Sequence, residues 1–145
     1  MGVKQMELKK IETLTVEKQK LIEMAKEARK DSYSPYSGFS IGAALLTKEG
    51  PVFTGTNIEN ASYGLTNCAE RTAIFKAVSE GYREFKVLAV VADTQRPVPP
   101  CGACRQVINE FGGDIKVLMA NMKGDVLELT GAQLLPDAFD RGDFA

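Results

Sequence analysis

Hydrophobic positions along the chain recur with two periods, and the switches between them mark out the elements. Leu21, Ile22, Ala25 and Ala28 fall at helical spacing behind Thr15, a good N-cap residue. The spacing predicts a helix from Thr15 to about Arg29 or Lys30 that covers a sheet. Ser40 to Thr47 alternates, with Ile41, Ala43 and Leu45 on one face, and reads as a strand. A turn at Lys48-Glu49-Gly50-Pro51 and a second strand from Val52 to Ile58 complete a hairpin. Helical spacing returns from Cys68 to Glu80, with Ala73, Ile74, Ala77 and Val78 as the stripe and Gly81 placed to end it. Val87 to Ala92 is a continuous apolar run, expected as a buried parallel strand. A helix over Cys101–Phe111 is stopped by Gly112-Gly113. Strands over Ile115–Ala120 and Val126–Leu129 turn at Lys123-Gly124-Asp125, and a short helix covers Ala132–Leu135. The order αββαβαββα, a hairpin followed by crossover helices, predicts an α/β protein with a mixed five-stranded sheet and helices on both faces.

Composition narrows the picture. The 145 residues suit one domain, and a chain of about this size builds a core without disulfides. Residues 1–14 are polar and are expected to be a poorly ordered N-terminal extension, leaving residues 15–145 as the single domain. The net charge is −1 and no basic stretch stands out, so nucleic acid is not an expected partner. No apolar run reaches the roughly 18 residues of a membrane helix, and Met1–Lys10 lacks the apolar core of a signal peptide. A cytoplasmic protein with no membrane partner is expected. Three cysteines are an odd number, which argues against a disulfide framework. The chain has no histidine, so acid–base chemistry near neutral pH must use another group.

Those cysteines sit in two short segments, Cys68-Ala69-Glu70-Arg71 and Pro100-Cys101-Gly102-Ala103-Cys104, each opening a predicted helix after a strand. Such junctions lie at the carboxyl ends of strands, where open α/β sheets place their ligands. Cys101 and Cys104, three apart in one helical turn, can reach a single ion, and Cys68 can supply a third thiolate. Zinc bound by thiolates favours four-coordinate tetrahedral geometry. With no fourth cysteine and no histidine, one position is left for water, although a carboxylate as fourth ligand stays open. Cys101-Gly102-Ala103-Cys104 alone also fits a redox pair. Cys68 and Glu70, which a redox pair does not need, favour the metal. Glu70 suits the first turn of a helix through the helix dipole; beside an open metal position it is also the candidate proton shuttle.

The same residues resemble the zinc-dependent nucleoside deaminases, whose signature joins a cysteine, a nearby glutamate and a P-C-x-x-C segment. The resemblance extends beyond the metal motif. Ser34-Pro35-Tyr36-Ser37-Gly38-Phe39 and Ile41-Gly42-Ala43-Ala44-Leu45 look like the N-terminal motif of cytidine deaminases. Asn57-Ile58-Glu59-Asn60-Ala61-Ser62-Tyr63-Gly64 looks like their nucleoside loop. The run from Cys101 to Val107 and Leu134-Leu135-Pro136 to Phe139 continue the pattern, so the likeness covers about residues 25–139. It points to the small, three-cysteine, homotetrameric type with a three-layer α/β/α sandwich. It implies one Zn2+ per chain on Cys68, Cys101 and Cys104, with Glu70 as the catalytic acid–base. It also implies hydrolysis of cytidine and deoxycytidine to uridine and deoxyuridine with release of ammonia, in pyrimidine salvage. Asn57 and Glu59 would bind the ribose 3′-OH, Phe39 would pack on the pyrimidine, and the Ala69 amide would hold the base carbonyl. Ala61, Tyr63 and Phe139 would complete the pocket, some from a neighbouring subunit. Arg71 would hydrogen-bond a ligand sulfur. A deaminase of another cytosine nucleoside shares the metal motif.

Overall fold

Alternation along each strand lets one sheet carry two apolar faces. In the computed structural model, which describes residues 7–144, a two-residue strand β1 (Lys9–Lys10) leads into helix α1 (Val16–Ala28) and a hairpin, β2 (Ile41–Thr47) and β3 (Val52–Thr56). Helix α2 (Ala69–Ser79), strand β4 (Phe85–Ala92) and helix α3 (Gly102–Phe111) follow. The hairpin β5 (Lys116–Ala120) and β6 (Asp125–Thr130) and the short helix α4 (Gly131–Leu134) complete the order.

The sheet runs β1-β6-β5-β4-β2-β3. On one face, Leu21, Ile22 and Ala25 of α1 pack over Ala44, Val87, Ala89, Val91, Leu118 and Ala120. On the other, Ala73, Ile74 and Ala77 of α2 and Ile108 of α3 pack over Ala43, Leu45, Leu88, Val90, Val117 and Met119. Neighbouring strand residues thus go to opposite layers, and the expected α/β/α sandwich results. Thr15 caps α1 by accepting from the Lys18 amide at 3.3 Å. Thr130 and Gln133 form a reciprocal capping box on α4, one residue earlier than the sequence pattern placed it.

Two expectations need correction. The sheet has six strands rather than five, because Lys9 and Lys10 pair antiparallel with Val126 and Asp125. The ordered tail extends beyond that pairing. The Ile11 amide donates to Gly124 O at 2.8 Å, Lys10 pairs with Asp125 at 2.7 Å, and Ile11 and Leu14 pack against the α1 layer. Residues 9–14 are therefore part of the fold; the expectation for residues 1–6 lies outside the described residues. β4 is parallel to β5 but antiparallel to β2. Because β2 is antiparallel to both β3 and β4, β3 and β4 run the same way. Their carboxyl ends share one edge of the sheet, and the segments leading into α2 and α3 start there. Among the described residues, no helix is long and apolar enough to cross a membrane.

Candidate active site

Helices α2 and α3 present their N-termini to each other. Cys68 is the N-cap of α2 and Cys101 the N-cap of α3, both with extended backbone, while Cys104 lies buried one turn further along α3. The two caps use no side-chain oxygen, so their sulfurs are left to face the gap. All three Sγ atoms lie within 4.8 Å of one another, and Cys68 Sγ is 3.8 Å from Cys101 Sγ. A tetrahedral ion with Zn–S bonds of about 2.3 Å sets its sulfurs about 3.8 Å apart. The donor set and its spacing fit zinc.

Electrostatics favour thiolate here. Both helix dipoles put partial positive charge at the sulfurs. Arg71 Nη2 donates to Cys68 Sγ at 3.3 Å. A hydrogen bond from Cys104, then those from Arg71 and Cys101, outweigh burial and bring the Cys68 thiol down to about 5. Cys104, as donor to Cys68 and itself buried, is pushed up. Its hydrogen bond to Cys68 likewise raises Arg71, which keeps it charged. Below the sulfurs, Thr72 Oγ1 donates to the Cys68 carbonyl at 3.2 Å and accepts from Asn67 Nδ2 at 3.0 Å, which fixes the entry into α2.

Glu70 is 4% exposed, and its Oε1 has no hydrogen-bond partner. Burial, with a smaller push from the Cys68 charge and against the pull of Arg71, raises its carboxyl to about 7. Burying a carboxylate with an oxygen left unpartnered costs stability, and such perturbed groups cluster at functional sites. Glu70 lies two residues after Cys68, beside the thiol cluster.

The residues expected to touch substrate fall into three groups. Ala69 is buried at the first position of α2, where backbone amides lack intrahelical partners. Phe39, Asn57 and Glu59 are linked through the loop before β2. Asn57 is 7% exposed, and its amide is largely committed. Its Oδ1 accepts from the Ile41 amide at 2.9 Å and the Ser32 hydroxyl at 2.6 Å, and its Nδ2 donates to Phe39 O at 2.7 Å. One N–H of Asn57 remains. Glu59 accepts from the amides of Tyr36 and Ser37 and from the Ser37 hydroxyl, which holds its carboxyl below the usual range. A cavity of about 420 Å³ opens beside it, lined by Tyr36, Ser37, Glu59, Asn60, Tyr63 and Thr66. The cysteines and Glu70 do not line this cavity; they sit at the helix ends and the cavity at the loop. Ala61, Tyr63 and Phe139 form the third group. All three are exposed, so this chain alone does not close them over the thiols.

Sequence reasoning missed the side chains that brace these loops. Arg105 Nε donates to Pro100 O at 2.8 Å and its Nη1 to Leu134 O at 2.7 Å. Gln106 Nε2 donates to Phe139 O at 2.6 Å. Both lie in the quoted Cys101–Val107 run, but nothing in their spacing signals which distant carbonyls they reach.

A family model for the cytidine and deoxycytidylate deaminase zinc-binding region matches residues 15–121. The chain belongs to that family. It is 60% identical over 129 residues to a cytidine deaminase of Halalkalibacterium halodurans, covering 88% of this chain and 98% of that protein. It is 59% identical over 128 residues to one of Sporosarcina psychrophila, covering 88% of this chain and 94% of the other. The crystal structure of a cytidine deaminase from Burkholderia pseudomallei superposes with a TM-score of 0.82 at 55% identity. That match covers 87% of this chain and all of the other. Membership sets aside the redox alternative for Cys101 and Cys104. It gives the chain a zinc cofactor and a hydrolytic deaminase activity on cytidine.

Proposed function

We propose that Cys68, Cys101 and Cys104 hold the one zinc ion per chain, and that Glu70 moves the protons in hydrolytic deamination of cytidine and deoxycytidine. One observation carries this reading: three sulfurs at the spacing of a tetrahedral site, beside a buried carboxylate oxygen with no partner. Zinc, when bound, supplies a water acidified toward neutral pH. Glu70 takes the proton of the attacking water and delivers it to N3 of the cytosine ring, which makes C4 electrophilic. After the water oxygen has added at C4, Glu70 takes the proton that remains on that oxygen and passes it to the departing amine, as the oxygen becomes the C4 carbonyl. The C4–N bond breaks, and ammonia and the uracil nucleoside leave. One carboxylate can serve each step because burial keeps it near the reacting atoms and holds its proton affinity close to neutral pH.

The remaining side chains bind and orient. The Ala69 amide receives the base carbonyl. Phe39 lies against the pyrimidine, and Glu59 with the remaining N–H of Asn57 reads the ribose 3′-OH. Arg71 withdraws charge from the Cys68 sulfur. In this reading residues 15–145 are the catalytic domain, the N-terminal extension packs onto it through residues 9–14, and the enzyme is a homotetramer in the cytoplasm serving pyrimidine salvage. Exposure of 77% at Tyr63, 70% at Leu65 and 60% at Phe139 supports burial by neighbouring subunits that complete each pocket with Ala61, Tyr63 and Phe139.

The test is incubation of the purified protein with cytidine, deoxycytidine, cytosine and CMP, followed by ultraviolet absorbance, with zinc measured by elemental analysis. Both nucleosides are expected to react; cytosine, which lacks the sugar, is expected to react poorly because a site that hydrogen-bonds a hydroxyl rejects analogues without it, and CMP because its phosphate brings negative charge toward that of Glu59. Equal rates on cytosine and cytidine, or full activity without metal, would sink the reading.

A further inference from the structure

The loop before β2 is shaped by side chains of the nucleoside loop, and Ser37 stands between the two. Its hydroxyl donates to Glu59 Oε2 and accepts from the Phe39 amide at 3.0 Å. Glu59 Oε1 accepts from the Tyr36 amide at 2.9 Å and the Ser37 amide at 3.1 Å. On the other side of Phe39, Asn57 Nδ2 donates to its carbonyl at 2.7 Å. Both backbone polar groups of Phe39 are thus held by side chains. Asn57 holds one directly, and Glu59 holds the other through Ser37. Between Ser37 and Phe39, Gly38 adopts φ +69°, a left-handed turn that glycine enters without a Cβ penalty. The hydroxyl bond from Ser37 to the amide two residues on closes that turn. Phe39 is 38% exposed, so packing covers it only in part and these backbone bonds contribute to its place. Ser37 also forms part of the wall of the 420 Å³ cavity beside Glu59.

We propose that Ser37 is a positioning residue that couples sugar recognition to base placement, by tying the Glu59 carboxylate to the Phe39 backbone. The proposal rests on the roles given above to Glu59 and Phe39. When the sugar hydroxyl donates to Glu59, the carboxylate is held in the orientation in which it also accepts from Ser37. Ser37 then holds the amide of Phe39, and the ring lies where the pyrimidine arrives. Without the Ser37 hydroxyl, Glu59 keeps its two amide donors but loses its link to Phe39. The sugar hydroxyl then no longer helps to order the base wall.

The experiment compares deoxycytidine with 2′,3′-dideoxycytidine, which differ only in the 3′-OH. Steady-state kcat and KM are measured for the zinc-loaded full chain as wild type, Ser37→Ala, Ser37→Cys and Ser37→Thr, together with zinc content and melting temperature. Wild type should prefer deoxycytidine. Ser37→Ala should raise KM for deoxycytidine about tenfold, the order of one hydrogen bond to a charged group, with kcat nearly kept. Its constants for dideoxycytidine should change far less, so the preference for the 3′-OH falls about tenfold. Ser37→Thr, which keeps the hydroxyl, should restore most of the preference. Should Ser37→Ala lose zinc or melt early, Ser37→Cys carries the comparison, since it keeps the volume and weakens the donor. An equal proportional loss on both substrates would mean a merely structural serine and overturn the proposal. So would a preference unchanged in Ser37→Ala or Ser37→Cys. A wild type that does not distinguish the two substrates would overturn the sugar role of Glu59 itself, and the coupling with it.

Discussion

Replacing Gly55 by alanine puts a methyl group where α2 lies closest to the sheet. A Cβ at Gly55 meets Ala73 N at 2.5 Å, Ala69 O at 2.6 Å and Thr72 Cβ at 3.0 Å. The first two obstacles are backbone atoms of α2 and cannot rotate aside. Ordinary contact begins near 3.4 Å, so the helix must withdraw by about 0.9 Å, the gap between 2.5 and 3.4 Å. α2 carries Glu70 in its first turn and is capped by Cys68, whereas Cys101 and Cys104 ride on α3. The displacement therefore moves Glu70, the proposed proton shuttle, and one sulfur relative to the other two. Misplacing a reacting group by about 1 Å can cost roughly 100-fold in rate. Overpacking costs about 1–3 kcal/mol, a fall of roughly 4–10 °C in melting temperature for a chain of this size. Gly42 supplies the control. Its Cβ meets Ala25 O at 2.0 Å and the N of Arg29, the C-cap of α1, at 2.6 Å, on the other face of the sheet, so Gly42→Ala should destabilise at least as much without moving α2 against α3. Thermal melts and kcat per zinc-bound enzyme are measured for both. Both variants should melt early, and Gly55→Ala alone should lose about 100-fold in kcat. Equal kcat in the two variants would refute the reasoning.

Glu70→Gln should keep zinc and the melting temperature while turnover falls at least ~10²–10⁴-fold; near-normal turnover would remove Glu70 from the mechanism. Arg71→Ala should keep zinc by elemental analysis and lower kcat about tenfold, with Arg71→Lys recovering only part, since an ammonium replaces a planar fork. An Arg71→Ala enzyme at full rate would mean that the helix N-termini suffice. Glu128 is partly buried, which alone would raise its carboxyl, yet the hydrogen bond and charge of Lys18, with Lys9 and Lys116, bring it below its ordinary 4.5. A lowered folded value contributes stability above the unfolded value and loses it as pH falls through the folded one. The difference in melting temperature between wild type and Glu128→Gln should therefore be present at neutral pH and vanish in acid. A difference that does not change with pH would assign the Lys18–Glu128 contact no electrostatic role.

Much of the fold was legible because local signals agreed with one another. Thr15, the Gly112-Gly113 stop and the alternation in β2 each act over a few residues, and each element appears within a residue or two of its expected bounds. Strand β1 was not legible. Lys9 and Lys10 have no apolar alternation, and their pairing depends on the free backbone edge of β6, more than a hundred residues away. The thiol cluster was legible because two cysteines share one helical turn and the third also opens a helix. Asn57 was legible as a polar loop residue, but not as the buried bracket that holds Phe39 and Ile41.

The sequence by itself determined which groups are available for chemistry: three cysteine thiols, no histidine, and one carboxylate two residues after Cys68. These are facts of residue type and short spacing, and they hold whatever the packing. Tertiary structure decided how those groups meet. The shared direction of β3 and β4 brings two helix N-termini to one edge of the sheet and sets Cys68 3.8 Å from Cys101. Layering buries Glu70 without a partner, and Gly55 lets α2 approach closely enough for that. Burial and long-range hydrogen bonds depend on what lies opposite in space, and no local pattern of residues encodes them.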